Sequence, residues 1–496
     1  MLLQELASLF LKKELHGDEA VTISGLAVDS RRVSAGDLFI CISGFTQDGH
    51  DYAAAAVESG AAALVVEREL PLPVPQLIVS NARYASAVIA RHFYGDPSKQ
   101  VRAIGVTGTN GKTTTSTLIE AILSAAGQET GLMGTIRVKI GGRTETAERT
   151  TADAVSLQRT LRRMADAGAS YCVMEVSSHA LDQGRTIGID FRTAVFTNLT
   201  QDHLDYHGTM ERYADAKGLF FSRLGNASEP GEAARKYAVL NADDPAHERF
   251  KAMTAAETIL YGIDAPADVR ASDIRLTARG TAMKVSTFAG DVELSVNMLG
   301  KFNVYNILGA IAATLAEGVP LSVIKEALER LPGVEGRVEP VDAGQPFTVL
   351  VDYAHTPDGL LNVLDTVNEF AKGRVITVFG CGGDRDRKKR PIMGAISAER
   401  SDYTILTSDN PRSERPEAIL AEIEAGVLEA GADAAKYEIV EDRRRAIEKA
   451  VEMAEPDDVV LIAGKGHETY QIIGGVTLPF DDRVVAKDAI LGRSKA

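Results

Sequence analysis

The chain has 496 residues, 45% of them hydrophobic and 25% charged, with 54 Lys and Arg against 69 Asp and Glu for a formal charge of −15 at pH 7. That length exceeds one ordinary core and predicts two to four domains, while the acidic balance excludes a general nucleic-acid surface, which needs clustered basic side chains. No apolar run is long enough to span a bilayer, and Cys41, Cys172 and Cys381 have neither metal nor disulfide spacing, so a cytoplasmic protein is expected.

The N-terminal MLLQELASLFLKKELHG reads as an amphipathic helix, because its acidic residues and trailing lysines do not suit a signal peptide. Over 1–98 the pattern is mixed α/β, with strands at 38–42 and 63–67 and helices at 53–59 and 81–95. Asp96-Pro97-Ser98 reads as a linker.

Residues 104–115, IGVTGTNGKTTT, say most about chemistry. An apolar strand over 101–106 enters a glycine turn, and a helix-like run follows over 116–126. That order gathers backbone N–H groups and a positive helix end around a phosphate chain, with Lys112 for the outer phosphates and the Thr113 hydroxyl for magnesium. The usual spacing would put glycine at Val106; the glycines here are Gly105, Gly108 and Gly111. An ordinary glycine-rich turn is the plainer alternative.

Further strands at 172–176, 193–197, 236–240 and 257–261 alternate with helices, predicting a parallel sheet. Three short runs between 268 and 298 predict an antiparallel side sheet. Glu175 ends the strand YCVMEVSS, where a carboxylate reaches a metal above a sheet or simply caps a helix. Ser177, Ser178 and His179 either contact substrate or cap the next helix. His203, Asp205, His207 and Lys217 complete no tetrahedral zinc set, and the residues alone leave open whether His203 is a ligand and Lys217 a phosphate contact.

Leu331-Pro332-Gly333-Val334 reads as a hinge. Beyond it VLVDYA, VITVFG, YTILTS and VVLIAG are strands, with helices at 416–430 and 443–453. Ligand-type residues follow all four strands: His355, Asp384 with Arg385, Asp409 with Arg412, and Lys465 with Glu468. Ligands of such sheets bind at the carboxyl ends of the strands, so the coincidence predicts a crevice. Cys172 is expected in the core, and Cys381, beside glycines, at the surface.

In the order GVTGTNGKTTT, MEVSSHAL, TNLTQDHLDYHGT, LGKFNVYN, VDYAHTPD, FGCGGDRD, DNPR and AGKGHE, spanning 105–468, the chain resembles the Mur ligases, ATP-dependent enzymes that build the peptide of bacterial peptidoglycan. The resemblance implies an α/β fold of three domains: an N-terminal UDP-substrate domain (1–98), a central P-loop ATPase domain (99–333) and a C-terminal Rossmann-like domain (334–496) that binds the amino acid. It assigns Gly108, Thr109, Asn110, Gly111, Lys112, Thr113 and Thr114 to ATP, Asn303 and Asn306 to the adenine side, and Arg337 and Asp352 to the nucleotide and domain closure. Mg2+ falls to Thr113, Glu175, His203 and Lys217, the last as a carbamate (N6-carboxylysine), with Lys112 completing the catalytic set.

For the UDP-linked substrate the resemblance implies Ser30, Thr150, Thr151, Ser177, Gln183 and Arg185. The family's Thr-Thr-Pro is Thr150-Thr151-Ala152 here, without the proline. Arg385, Asp409, Asn410, Arg412, Gly464 and Glu468 are implied for the incoming amino acid. The branch resembled joins meso-2,6-diaminopimelate to UDP-N-acetylmuramoyl-L-alanyl-D-glutamate through an acyl phosphate. Arg412 in DNPR favours that branch, since a guanidinium makes a paired bond with the extra carboxylate of diaminopimelate. L-Lysine addition by the same fold is the alternative, and a nucleotide-operated scaffold module a remoter one. A monomer is expected.

Overall fold

The computed structural model describes residues 1–44, 47–225, 235–277 and 280–493. The first sheet runs in the order Glu14–His16, Gln76–Ile78, Ala63–Val66, Asp37–Ile40, Gly25–Ala27, parallel except for its first pair. The predicted strands and helices of this region form, with Asn81 capping the helix Ala82–Phe93 by accepting from Tyr84 N. The N-terminal helix is shorter than expected: it covers only Leu3–Ala7, and Glu14–His16 is the antiparallel edge strand.

The second sheet has eleven strands, and its centre is Arg102–Thr107. This strand lies between Tyr171–Glu175 and Phe191–Phe196, parallel to both. Ile104, Val106, Val173, Val195 and Val239 pack in one core with the helices Lys112–Ala125 and Lys301–Ala316. Ala103, Cys172, Met174, Ala194 and Phe196 pack in a second core with Leu157, Leu161, Phe220 and Phe221. Burial on both faces is why these strands read as unbroken apolar runs rather than alternating ones.

Two predictions change at the edges of this sheet. Val269–Thr277, Gly280–Thr287 and Gly290–Val296 are antiparallel to one another, but the first pairs in parallel with Glu257–Gly262 through Tyr261↔Val269. They therefore extend the central sheet instead of forming a separate one. At the other edge Arg137–Ile140 and Arg143–Thr146 were not foreseen; the latter is exposed throughout and carries no hydrophobic signal.

The third sheet runs Glu339–Pro340, Thr348–Asp352, Val459–Ala463, Val375–Phe379, Tyr403–Leu406, Tyr437–Ile439, parallel after the first pair. A small hairpin, Tyr470–Ile473 with Val476–Pro479, lies beyond it. Behind the sheet Arg443 and Asp482, both fully buried, form a two-pronged pair at 2.8 and 2.7 Å, and Arg443 also donates to Ala463 O at 3.0 Å. The pair ties the helices Arg443–Met453 and Asp482–Arg493 to the strand that ends beside Gly464.

Leaving one member of such a pair buried alone is the costly change. Arg443→Met is expected to lower stability in urea by about 3–5 kcal/mol, and Arg443→Met with Asp482→Leu to recover most of that loss.

Candidate active site

The strand Arg102–Thr107 ends in the predicted phosphate loop, and the helix begins at Lys112, four residues before the apolar signal, because its first turn is polar. Gly111 supplies the turn with φ +84°, and a Cβ there would stand 2.2 Å from Asn306 Oδ1. No other residue type satisfies both conditions. Asn306 is held by Thr115 Oγ1, which donates to its Oδ1, and it donates to Asn303 Oδ1, while Asn303 donates to Leu299 O. Both asparagines thus lie beneath the loop. Asn110 N donates to Asn198 Oδ1 at 2.9 Å and Thr109 N to Asn198 O at 2.8 Å, fixing the loop against the strand Phe191–Phe196.

Lys112 and Lys217 meet on one acceptor. Their ammonium groups lie 2.9 and 2.7 Å from Gly108 O, and Lys112 reaches Thr109 O as well. Lys217 is buried over the Tyr213 ring at 4.5 Å. Burial pushes both amines down, and for Lys217 the charge of Lys112 adds to the shift. Thr113 Oγ1 donates to Glu175 Oε1 at 3.0 Å, and Glu175 also accepts from Thr135 N and Thr135 Oγ1. His203, at φ +55°, lies 3.4 Å from Asp202 and against the His179 ring at 4.8 Å. Burial lowers its pKa and favours the neutral imidazole, the form that ligates a cation.

Among the described residues no group of three or more His, Cys, Asp and Glu could alone hold a metal ion. A carboxylate and a hydroxyl beside a phosphate loop nevertheless suit magnesium, which takes hard oxygens and completes its shell with water and substrate phosphates.

Five of the six residues predicted for the UDP-linked substrate form one cluster. Thr151 Oγ1 donates to Glu175 O and accepts from Ser177 N, and Thr150 Oγ1 lies 3.0 Å from Thr135 Oγ1. Arg185 grips Gln183 Oε1 with two N–H groups and donates to Thr151 O. Ser177 also caps the next helix by accepting from Ala180 N, as the plainer expectation held. Ser30 stands apart in the short turn Ser30–Arg32; its neighbour Arg32 reaches the cluster's side of the molecule through Glu148.

The amino-acid residues converge beyond the third sheet. Asn410 Nδ2 donates to Glu468 Oε2 at 2.8 Å, and Lys465, fully buried, donates to the same oxygen at 3.0 Å. Gly464, with φ +114°, lets Asp409 Oδ2 approach to 2.6 Å of where a Cβ would be. Arg412 donates to Gly383 O at 2.7 Å. Among the described residues the Arg385 side chain bonds only to its neighbour's carbonyl, Asp384 O. Cys381, expected at the surface, is buried, with its thiol pushed up to about 12.

Arg337 and Asp352 connect the two halves. Arg337 Nη2 donates to Thr113 Oγ1 at 3.1 Å, and Asp352 accepts from Val338 N and Ala354 N, holding the segment that carries Arg337. Sequence reasoning missed Asp358, which accepts from Asn110 Nδ2 at 2.7 Å and from Thr200 Oγ1 at 3.1 Å. It also missed Arg390, buried and paired with Glu414 and Glu422, which anchors the loop before Arg385 because Glu414 accepts from Asp384 N. Asp358 follows Thr356-Pro357 as a helix-opening acid, and Arg390 lies in a run of basic residues; neither pattern separates them from surface charge.

A glycine-rich phosphate loop at the end of one parallel sheet, bridged by Arg337 to the carboxyl end of another, is the framework of a nucleotide-dependent enzyme. The chain belongs to the Mur ligase family: residues 106–314 match the Mur ligase middle domain, 336–466 the Mur ligase glutamate ligase domain, and 22–94 the Mur ligase family catalytic domain. It is 53% identical over 471 residues to the UDP-N-acetylmuramoyl-L-alanyl-D-glutamate–2,6-diaminopimelate ligase of Geobacillus kaustophilus, covering 95% of each chain. It is 50% identical over 472 residues to the protein of the same name from Listeria monocytogenes, again covering 95% of each. A solved structure titled as this ligase is similar over 100% of this chain and 99% of that one, at 34% identity and a TM-score of 0.69.

The Arg390–Glu414 contact gives a pH test. Arg390 draws the Glu414 pKa from 4.5 down to about 2, so the folded state favours the carboxylate. Its contribution is complete above pH 4.5 and is lost as the pH falls towards 2. Glu414→Gln is therefore expected to melt below the parent at pH 6, and the gap between their melting temperatures to close on acidification through that window.

Proposed function

We propose that the chain adds meso-2,6-diaminopimelate to the D-glutamate γ-carboxylate of UDP-N-acetylmuramoyl-L-alanyl-D-glutamate, using ATP, in peptidoglycan precursor synthesis. The observation that carries this reading is the pocket of Asn410, Arg412 and Glu468 on the sheet that Arg337 joins to the phosphate loop. In this reading residues 1–98 hold the UDP moiety, 99–333 the nucleotide and 334–496 the amino acid. The enzyme works as a cytoplasmic monomer. No helix among the described residues is long and apolar enough to cross a membrane, and the three cysteines are free and buried.

A carboxylate is a poor acyl donor, because its negative charge repels a nucleophile and oxide is a hopeless leaving group, so it must first be activated. The γ-carboxylate oxygen attacks the γ-phosphorus of ATP, the bond to the β-phosphate oxygen breaks, and an acyl phosphate and ADP result. A neutral amine of diaminopimelate then attacks the acyl carbon. The C–O bond to phosphate breaks, an amide forms, and the amine's surplus proton leaves with phosphate or water. Lys112 and the N–H groups of Lys112 to Thr114, which open the helix, face the charge moved in the first step, and the enzyme's main contribution is position. Thr151, Ser177 and Arg185 present the acid; Arg412 and Glu468 orient the amino acid by its carboxylate and ammonium.

Magnesium, when bound, neutralises and orients the triphosphate. Thr113, Glu175, His203 and Lys217 as a carbamate would hold it. Lys217 is suited to that modification, because its amine is buried, among the described residues no carboxylate hydrogen-bonds it, and burial favours the neutral form. The amine nitrogen bonds to the carbon of carbon dioxide and one proton leaves, turning a cation into an anion.

ATP-dependent incorporation of labelled diaminopimelate into the UDP-linked dipeptide, in competition with L-lysine, tests the reaction; ADP release without a tripeptide, or a preference for lysine, rejects it. Arg412→Lys should cut kcat/KM for diaminopimelate by about 10–100-fold, the worth of a paired charged hydrogen bond, while the KM for ATP stays within about twofold. Labelled 13C-bicarbonate should give a carbamate resonance in the wild type that is absent from Lys217→Ala, and activity should fall in buffer stripped of carbon dioxide.

A further inference from the structure

Lys465 has no place in the chemistry above, yet its side chain is fully buried in the amino-acid pocket. A desolvated ammonium persists only where partners replace its water. Two such partners are present: Glu468 Oε2 at 3.0 Å and Asn410 Oδ1 at 3.2 Å, with the Tyr470 ring centre 5.5 Å away. Both partners are residues that the pocket uses on its ligand.

The three side chains fix one another's orientation. Asn410 Oδ1 accepts from Lys465 and from Ile472 N at 3.0 Å, and its Nδ2 donates to Glu468 Oε2 at 2.8 Å. Turning the amide over would set its NH2 against an ammonium and a backbone N–H, and its oxygen against a carboxylate. Lys465 and the hairpin strand Tyr470–Ile473 thereby permit a single amide orientation. Two donors then converge on Glu468 Oε2, whereas Oε1 accepts no hydrogen bond from the described residues. The carboxylate has one oxygen committed to the protein and one left for a ligand.

We propose that Lys465 is a positioning residue for amino-acid selection: by holding Oε2 of Glu468 and Oδ1 of Asn410, it presents Oε1 to an ammonium group of the incoming diamino acid. The inference rests on the proposed function and deepens it. A primary ammonium needs an acceptor in a fixed place, and without Lys465 the Glu468 side chain is free to rotate and the Asn410 amide to flip. The loss then falls on capture of the amino acid, not on nucleotide or UDP-substrate binding.

Lys465→Met keeps the stem of the side chain and removes its charge. The wild type, Lys465→Met, Glu468→Gln and the double variant are assayed with each of the three substrates varied in turn. The expected result is a rise of about 10–100-fold in the KM for diaminopimelate in Lys465→Met, with the KM values for ATP and the UDP-linked dipeptide within about twofold. In the double variant Lys465→Met should add little to Glu468→Gln, since the two side chains act as one unit. Equal losses for all three substrates, or strictly additive effects, would overturn the inference and leave Lys465 a packing residue. A wild type that joins no diaminopimelate would instead sink the proposed function itself. If Lys465→Met does not fold, a wild-type crystal structure with bound diaminopimelate decides. Its ammonium on Oε1, with Lys465 still on Oε2, supports the assignment; an ammonium on Oε2 with Lys465 displaced rejects it.

Discussion

Two side-chain bridges set the position of one sheet's carboxyl end against the other's, and the chemistry depends on that position. Arg337 donates to Thr113, and Asp358 accepts from Asn110; both bridges end on the phosphate loop itself. A ligase that activates an acid on one unit and receives the amine from another gains most of its advantage from reach and orientation. Anchoring the bridges on loop residues makes the order of the loop and the approach of the third sheet a single geometric condition. From Arg337 the packing continues to the Tyr353 ring at 4.7 Å and on to His467 at 4.8 Å, the residue before Glu468. The path from the phosphate loop to Glu468 is a few side chains long.

Three lysines, Lys112 half-buried and Lys217 and Lys465 buried, show how one residue type is put to different ends by its partners. Lys112 has only carbonyl oxygens, those of Gly108 and Thr109. Lys217 shares the first of these and adds an aromatic face, and among the described residues no carboxylate bonds it directly. Lys465 has a carboxylate and an amide oxygen. Desolvation acts on every buried amine, but opposite charge within bonding distance decides whether the cation persists. The two amines on Gly108 O also oppose one another, which adds to the downward shift at Lys217. Lys465 is instead tied to Glu468 and Asn410, and its part is to hold those two side chains in place.

Much of this was legible in the sequence, and the reasons are specific. The central strands announce themselves because both their faces are buried, and the glycine turn before Lys112 has few uses other than phosphate binding. The helix start at Lys112 was misplaced because four polar residues open it, and the strand Arg143–Thr146 was missed because it buries nothing. Val269–Thr277 was correctly read as a strand but given to the wrong sheet, since nothing local in a sequence names a strand's neighbour. Asp358 and Arg390 act across 248 and 24 residues of chain respectively, and only the fold reveals that either charge is satisfied. Residue roles followed from family resemblance more than from spacing, as His203 and Lys217 show.

The loops around Asn410 and Arg412 also store conformational strain. Arg412 and Asp384 both adopt φ near +55°, a conformation that costs an L-residue about 1–2 kcal/mol. Each is held there by the other's loop: Ser413 donates twice to Asp384, Gly383 N donates to Asn410 O, and Arg412 N donates to Ile472 O. The strained backbone turns Arg412 back so that its Nη1 meets Gly383 O, which fixes the guanidinium before any carboxylate arrives. An arginine already held loses less side-chain freedom on binding, so more of its paired bond appears as selectivity for the ligand that can complete it. A ligand with a second carboxylate can complete that pair, and one without it leaves the held guanidinium unanswered.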